Sequence, residues 1–275
     1  MGLLAFIGIP IVEDIIAFFI TLVAIFALIG INDKLRNSGK LSINVSRKVI
    51  HTFAAPIYVF FFPFYSSSWY SPIIASIVPL IFALKFLTIG LGISRDEAFV
   101  NTMSRSGDPK ELLRGTFYYT LIMIFVSIFW WTHPLALISF SILAFGDGFA
   151  DIVGRNYGKR KLKVPAGTKT IEGSLLGMFL IGFTLTLLMI FLYGLMGVGV
   201  YSSGNLVYTY SIGTVAQWFV PILILSIVAS VVELFSPHDV DNIIIPASVI
   251  VMGIILIALG LWPGIHTFWE PFWGL

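Results

Sequence analysis

Long apolar runs, separated by short stretches that hold nearly all of the charge, set the pattern of this chain. Eight runs stand out, at 11–31, 50–65, 71–92, 114–131, 134–154, 174–197, 213–235 and 243–262. A helix needs ~20 largely apolar residues to cross a hydrocarbon core, so the pattern predicts an all-α, polytopic transmembrane helical bundle of about eight spans. The run at 50–65 is short and interrupted by Pro56 and Pro63, which makes it the weakest of the eight. No repeat with a period of about 20–50 residues and no low-complexity linker divides the sequence, so one domain over 1–275 is expected. The first run carries Glu13 and Asp14 and lacks both a basic start and a small-residue cleavage site. It reads as a retained helix and not as a signal peptide.

The polar stretches differ in sign. Lys34, Arg36, Lys40, Arg47 and Lys48 lie between the first two runs. Arg95, Arg105, Lys110 and Arg114 lie between the third and fourth, and Arg155, Lys159, Arg160, Lys161, Lys163 and Lys169 between the fifth and sixth. Of the 16 basic residues only Lys85 falls well inside a run, Arg114 standing at the very start of the fourth, and the stretches 66–70, 132–133 and 198–212 have none. Cytoplasmic loops are enriched in Lys and Arg, so the three basic loops are expected in the cytoplasm and both termini on the other side. The same alternation makes 236–242, with Asp239 and Asp241, cytoplasmic.

Composition narrows the function classes. The chain has 275 residues, 58% of them hydrophobic and 11% charged, with a mean hydropathy of +0.98. A net charge of +2 implies no nucleic-acid partner. The absence of cysteine excludes disulfides, thiolate catalysis and Cys-ligated metals.

The stretch 146–174, GDGFADIVGRNYGKRKLKVPAGTKTIEGS, holds the richest chemistry. Asp147 and Asp151 are four apart and share a helix face. With the fifth run ending near Gly154, Asp147 lies about seven residues in, on the order of 10 Å below the interface. A carboxylate at that depth is costly unless it is paired, protonated or facing water, so it marks a functional site. Acids to hold a divalent metal, beside bases and glycines to hold phosphates, are what nucleotide chemistry requires. Gly146, Gly148, Gly154 and Gly158 serve either close helix packing or close backbone approach to a phosphate; spacing leaves both open.

Other polar groups fall on the same membrane side. Glu233 closes the seventh run, and Asp241 and Asn242 open the eighth, ahead of Pro246. Arg47 and His51 share a face at the start of the second run beside Lys48, an arrangement suited to a phosphate clamp with a proton-accepting group. His133, His238 and His266 show no metal-ligand spacing, and the stretch Trp262 to Trp273 reads as an aromatic belt on the outer side. Residues 154–160 fall one short of a Walker loop and lack its Ser or Thr. The signatures of soluble protein kinases, CDP-alcohol phosphotransferases and phosphatidate cytidylyltransferases are absent.

These elements together resemble the polyprenol kinase family of dolichol kinases, phytol kinases and CTP-dependent diacylglycerol kinases. The likeness rests on Arg47-Lys48…His51, Gly146-Asp147-Gly148 with Ala150, Gly154, Gly158 and Lys161, Lys169-Thr170-x-Glu172-Gly173-Ser174, Glu233, and Asp241-Asn242…Pro246. Their order and common membrane side make the combination specific, although no single piece is. The resemblance implies a CTP-dependent, Mg²⁺-assisted kinase of a membrane polyisoprenoid alcohol, with its site facing the cytoplasm. Dolichol, geranylgeraniol, phytol and diacylglycerol all stay open, as does a homo-oligomer.

Under that reading Asp147 and Glu172, with Glu233 and Asp241, would hold the metal. Arg47, Lys48, Lys161, Lys169, Thr170, Ser174, Asn242 and the backbone at Gly146, Gly148, Gly154, Gly158 and Gly173 would hold the nucleotide. The lipid hydroxyl would enter laterally and attack the γ-phosphoryl group in line, with Asp151 or His51 accepting its proton. A rival enzyme reading is a cytidylyltransferase that makes a CDP-lipid. A rival of another class is an ion- or proton-coupled transporter, against which stand the missing inverted repeats and the one-sided polar residues.

Overall fold

The apolar runs fold into helices, and proline and polar side chains decide where most of them start. The computed structural model describes residues 2–104, 106–164, 167–202, 205–237 and 240–264. Arg105, His238, Asp239, His266 and the aromatic segment beyond Gly264 lie outside the described residues. The helices are α1 (Pro10–Asn37), α2 (Ile43–Phe60), α3 (Ser71–Gly90), α4 (Glu97–Met103), α5 (Gly115–Trp130), α6 (Pro134–Tyr157), α7 (Gly173–Met196), α8 (Phe219–Phe235) and α9 (Asp241–Ala258). Pro10, Pro72 and Pro134 sit in first turns, where the missing N–H costs nothing. Ser42 and Asp96 accept the amides of Val45 and Phe99 as N-caps.

Seven of these segments, counting the 3₁₀ turns that lead into α5 and α8, are long and apolar enough to span a membrane. The remaining long helix, α2, covers the weak second run. It continues through Pro56 to Phe60 and gives way to a 3₁₀ turn, Phe62–Phe64, at Pro63. Its first half carries Arg47, Lys48 and His51, which lowers its mean hydropathy below that of the other seven. It packs against α1 and α6 all the same.

Helix α6 is the axis of the bundle: 83% of its apolar stretch is buried, against 22–50% in the other six spans. It touches α2, α5, α7, α8 and α9. It is α-helical to Ser141, π-helical over Ile142–Asp147, and α-helical again from Gly148. Helix α7 opens with its own π-helical stretch, Gly173–Ile181, facing that of α6. The two helices meet along small residues. A side chain on Gly177 would lie 2.5 Å from the Ala150 backbone, and one on Gly182 would lie 3.1 Å from Gly146 Cα. Small residues that let backbones approach are how helices pack where no hydrophobic force separates protein from lipid.

The polar connections form two antiparallel hairpins that helical periodicity did not reveal, because strands of four or five residues are too short to show an alternation. The hairpin between α6 and α7 pairs β1 (Lys161–Val164) with β2 (Gly167–Thr170), Leu162 opposite Lys169. The hairpin between α7 and α8 pairs β3 (Gly199–Ser202) with β4 (Asn205–Thr209).

At the end of the bundle that holds this second hairpin, the core is aromatic. Tyr58 meets Phe62 edge-on, Phe62 stacks on Trp131 at 4.2 Å, and Tyr65 meets Trp131 edge-on. All four are at most 2% exposed. Nearby, the buried Asp14 of α1 accepts the Ser66 amide at 2.6 Å and the Ser71 hydroxyl at 2.7 Å. That carboxylate ties a loop to α1, which accounts for an acid in the first apolar run.

Candidate active site

The opposite end of the bundle is polar, and α2, α5, α6, α7, α8 and α9 build it with the β1–β2 hairpin. Asp147 stands where the π-helical stretch of α6 ends, ten residues before the helix terminus, or about 15 Å along the axis at 1.5 Å per residue. A π-turn widens the helix by one residue and is frequent at functional sites. Asp147 Oδ2 accepts from Lys48 Nζ at 2.9 Å and lies 3.1 Å from His51 Nε2, both on α2. Lys48 and Asp147 are each under 10% exposed. A buried charge is tolerated only when paired and hydrogen-bonded, and Lys48 supplies the pairing. Gly148, next along, packs on Thr52, one turn beyond Lys48 on α2. The missing side chain lets α2 come close enough for Lys48 to reach the acid.

His51 is held from a third helix. Tyr119 of α5 donates its hydroxyl to the His51 carbonyl at 3.1 Å, and the two rings lie 4.6 Å apart. His51 and Arg47 line two adjoining spaces. One is a narrow apolar groove between α1, α2, α3 and α5, walled by Ile25, Ala54, Tyr58, Val78, Phe82 and Met123. The other is a polar cavity bordered by Lys48, Glu111, Arg114, Asp147, Asp241 and Asn242. Met103 and Thr116 are also common to both.

A second polar cavity opens on the other side of Asp147, beneath the β1–β2 hairpin, and shares Lys48, Asp147 and Asp241 with the first. Lys169 of β2 lines it and forms an ion pair with Glu233 of α8, and it also donates to the Glu233 carbonyl at 3.0 Å. Ser174 donates to the other Glu233 oxygen at 3.1 Å, so Glu233 docks the hairpin and the start of α7 onto α8. Thr170 accepts the Gly173 amide at 3.1 Å. Asp151 reaches the same cavity, but its carboxylate is taken by Arg155 at 2.7 Å. On α9, Asp241 accepts the amide of Asn242, and the Asn242 side chain donates to the Gly115 carbonyl at 3.1 Å. Pro246 is buried within the same helix.

The structure therefore brings together Arg47, Lys48, His51, Asp147, Asp241 and Asn242 around one polar cavity, and Asp151, Lys169, Thr170, Ser174 and Glu233 around its neighbour. Two residues of the motif stand apart. Lys161 is exposed on the opposite face of the hairpin from Lys169, as the Leu162–Lys169 pairing requires. Glu172 lies at the surface and accepts the Lys159 and Arg160 amides at 3.0 and 3.1 Å. Its own backbone amide and those of Arg160 and Lys159 hold the carboxyl below the usual range. It fastens the turn after α6 and does not border either cavity.

The glycines divide by position. Gly146 packs on Met178, Gly154 on Thr170 and Gly173, and Gly158 on Thr170, so all three serve close packing. Gly154 and Gly173 also form part of the hairpin cavity wall. Arg114, Thr116 and Tyr119 were missed by sequence reasoning. Arg114 counted only as a loop charge, and Tyr119 lies inside an apolar run, so no local pattern marked either.

Among the described residues no group of three or more acidic or histidine side chains is arranged to hold a metal ion. Of the three carboxylates that border one cavity, Glu111 accepts from Ser106, and Asp147 and Asp241 are left as a pair. A phosphate-bound magnesium ion needs only one or two carboxylates besides phosphate oxygens and water, so this donor set fits one.

Similar proteins point the same way. The chain is 34% identical over 234 residues to a probable phytol kinase 1, chloroplastic, of Oryza sativa subsp. japonica, covering 84% of this chain and 70% of that one. It is 30% identical over 217 residues to the farnesol kinase, chloroplastic, of Arabidopsis thaliana, covering 78% and 70%. It is 30% identical over 173 residues to phytol kinase 1, chloroplastic, of Arabidopsis thaliana, covering 62% and 56%. No family profile and no solved structure matches the chain.

Proposed function

The chain belongs to the polyprenol kinase family, a set of integral membrane kinases of isoprenoid alcohols, and from that premise we propose that it transfers the γ-phosphoryl group of CTP to such an alcohol at the cavity around Asp147. The observation that carries this reading is the junction at His51. One side of it is an apolar groove suited to a hydrocarbon tail, and the other is a cavity of cations and carboxylates suited to a triphosphate.

The alcohol lies in the groove with its hydroxyl at His51. Asp147 Oδ2, 3.1 Å from His51 Nε2, favours the proton on that nitrogen, which leaves Nδ1 as the proton acceptor. The hydroxyl oxygen attacks the γ-phosphorus, the bond to the β–γ bridging oxygen breaks, and the nucleoside diphosphate leaves. The hydroxyl proton goes to His51, and Asp147 stabilises the imidazolium. Lys48, Arg47 and Arg114 offset the charge of the phosphates. Asp147 and Asp241 would hold the magnesium ion, which when bound neutralises phosphate charge. Lys169, anchored by Glu233, borders the space beneath the hairpin and closes the nucleotide site there.

His51 suits the proton transfer better than Asp151 does, because Asp151 is engaged by Arg155 and does not border the groove. The site lies on the side that carries the Lys- and Arg-rich loops, which is the cytoplasmic side by the distribution of charge, with both termini opposite. The choice of CTP follows the family resemblance.

The test is a lipid phosphorylation assay on detergent-purified protein with Mg²⁺. CTP or ATP labelled at the γ-phosphate is offered with farnesol, phytol, geranylgeraniol, dolichol or diacylglycerol. Label in an extracted isoprenoid monophosphate, with CTP ahead of ATP, is the expected result. Label only from ATP overturns the donor. No labelled lipid from any pair overturns the kinase reading.

A further inference from the structure

The apolar groove has a built end. Along α2 its wall runs from Arg47 and His51 at the polar junction, through Ala54 one turn deeper, to Tyr58 one turn deeper again. The helices that face it close at the same level: Val78 and Met123 are the deepest groove residues of α3 and α5, by their distance in sequence from the ends that meet the polar cavity. From His51, where the hydroxyl sits, to Tyr58 is seven residues, on the order of 10 Å at 1.5 Å per residue.

The groove lining stops at Tyr58 among the described residues. The ring is fully buried, its hydroxyl donates to Ser127 at 3.0 Å, and Ser127 donates to the Met123 carbonyl at 2.6 Å. Tyr58 meets Phe62 edge-on at 4.9 Å, and Phe62 is stacked on Trp131. The Tyr193 hydroxyl donates to the Val59 carbonyl at 2.6 Å, which fixes the α2 backbone at this level. A rigid, hydrogen-bonded aromatic plate therefore stands across the path of any chain that enters at His51.

We propose that Tyr58 is the floor of the lipid groove and that Ala54, half-way down, is its width gauge, so that together they set the length of isoprenoid chain the enzyme accepts. This rests on the kinase reading above. A chain that reaches the floor fills the groove and gains burial with every added carbon. A chain that overruns it must bend out between the helices and gains nothing further. The preference thus rises from short alcohols to about the geranyl length, two isoprene units over roughly 10 Å, and then levels off.

The experiment measures kcat/KM for wild type, Ala54→Phe and Tyr58→Ala on dimethylallyl alcohol, geraniol, farnesol and a long polyprenol. In Ala54→Phe a ring enters the middle of the groove. Activity on geraniol and farnesol is expected to fall at least tenfold relative to dimethylallyl alcohol, most of it in KM. In Tyr58→Ala the ratio of farnesol to geraniol is expected to rise. A purely structural role lowers all four alcohols by one common factor. Unchanged ratios in an active Ala54→Phe protein overturn the proposal even if Tyr58→Ala fails to fold, as does a wild-type preference that climbs steadily to the longest polyprenol. Wild-type protein that phosphorylates none of the alcohols refutes the kinase reading instead.

Discussion

Lys48 and Asp147 are 99 positions apart in the chain and 2.9 Å apart in the fold, buried together between the second helix and the central one. Removing either partner leaves the other as an uncompensated buried charge, which costs about 3–5 kcal/mol. Asp147→Asn is expected to lower kcat at least a hundredfold, on the scale of one lost electrostatic stabiliser. It also lowers the melting temperature. In the double variant Lys48→Met with Asp147→Asn, the melting temperature recovers and activity does not. Recovery of both, read by thermal scanning and the lipid assay, would remove Asp147 from the chemistry.

The two candidate proton acceptors separate cleanly. His51→Ala is expected to cost kcat about 10²–10⁴-fold, the range of general base catalysis, with nucleotide KM changed far less. Asp151→Asn frees Arg155 at the protein surface and leaves kcat within a few-fold. The opposite ranking in steady-state kinetics would move the proton transfer to Asp151.

Lys169→Ala undocks the β1–β2 hairpin from Glu233. Nucleotide KM is expected to rise at least tenfold while the lipid KM stays near wild type. Limited proteolysis within 159–169 should accelerate in parallel. A raised lipid KM with unchanged nucleotide KM would assign the hairpin to the other substrate.

Glu172 offers a pH signature. Its carboxyl is held below its ordinary value by backbone amides, so its tie to Lys159 and Arg160 is present above the unfolded pKa and lost as pH falls through the lower, folded one. Amide exchange at these two positions should therefore keep its protection at mildly acidic pH and lose it only in stronger acid. In Glu172→Gln the charge-assisted tie is weakened at every pH. Identical exchange in wild type and variant would show that the carboxylate holds nothing.

The seam between α6 and α7 tolerates no side chain. Gly177→Val drives a branched group into the Ala150 backbone and is expected to destabilise by roughly 1–3 kcal/mol, the cost of overpacking. Unfolding of detergent-solubilised protein followed by circular dichroism measures it.

Much of this was legible in the sequence, and the illegible part has physical causes. The helices follow from length and apolarity, which need no tertiary information; Asp147 attracts notice because charge inside an apolar run is expensive, and Lys48 and His51 because they stand with Arg47 at the start of the second run. That Lys48 meets Asp147 across the bundle is a long-range fact that no local pattern contains. The hairpin decided the fate of two motif residues: strand alternation puts Lys161 on the face away from Lys169, and the turn after α6 claims Glu172. The open question about the glycines closes largely on packing, as the contacts of Gly146 with Met178 and Gly158 with Thr170 show. Tyr119 escaped because an aromatic residue in an apolar run looks like core until its hydroxyl is seen on the His51 carbonyl.

The aromatic layer of Tyr58, Phe62, Tyr65 and Trp131 has an electrical meaning as well. A polar cavity sunk about 15 Å along a membrane helix is half of a conduction pathway. The layer withholds the other half, because at most 2% exposed rings leave no file of water for protons to follow. Under the proposed chemistry a proton taken up at His51 returns to the compartment it came from, and the protein works in an energised membrane without discharging it.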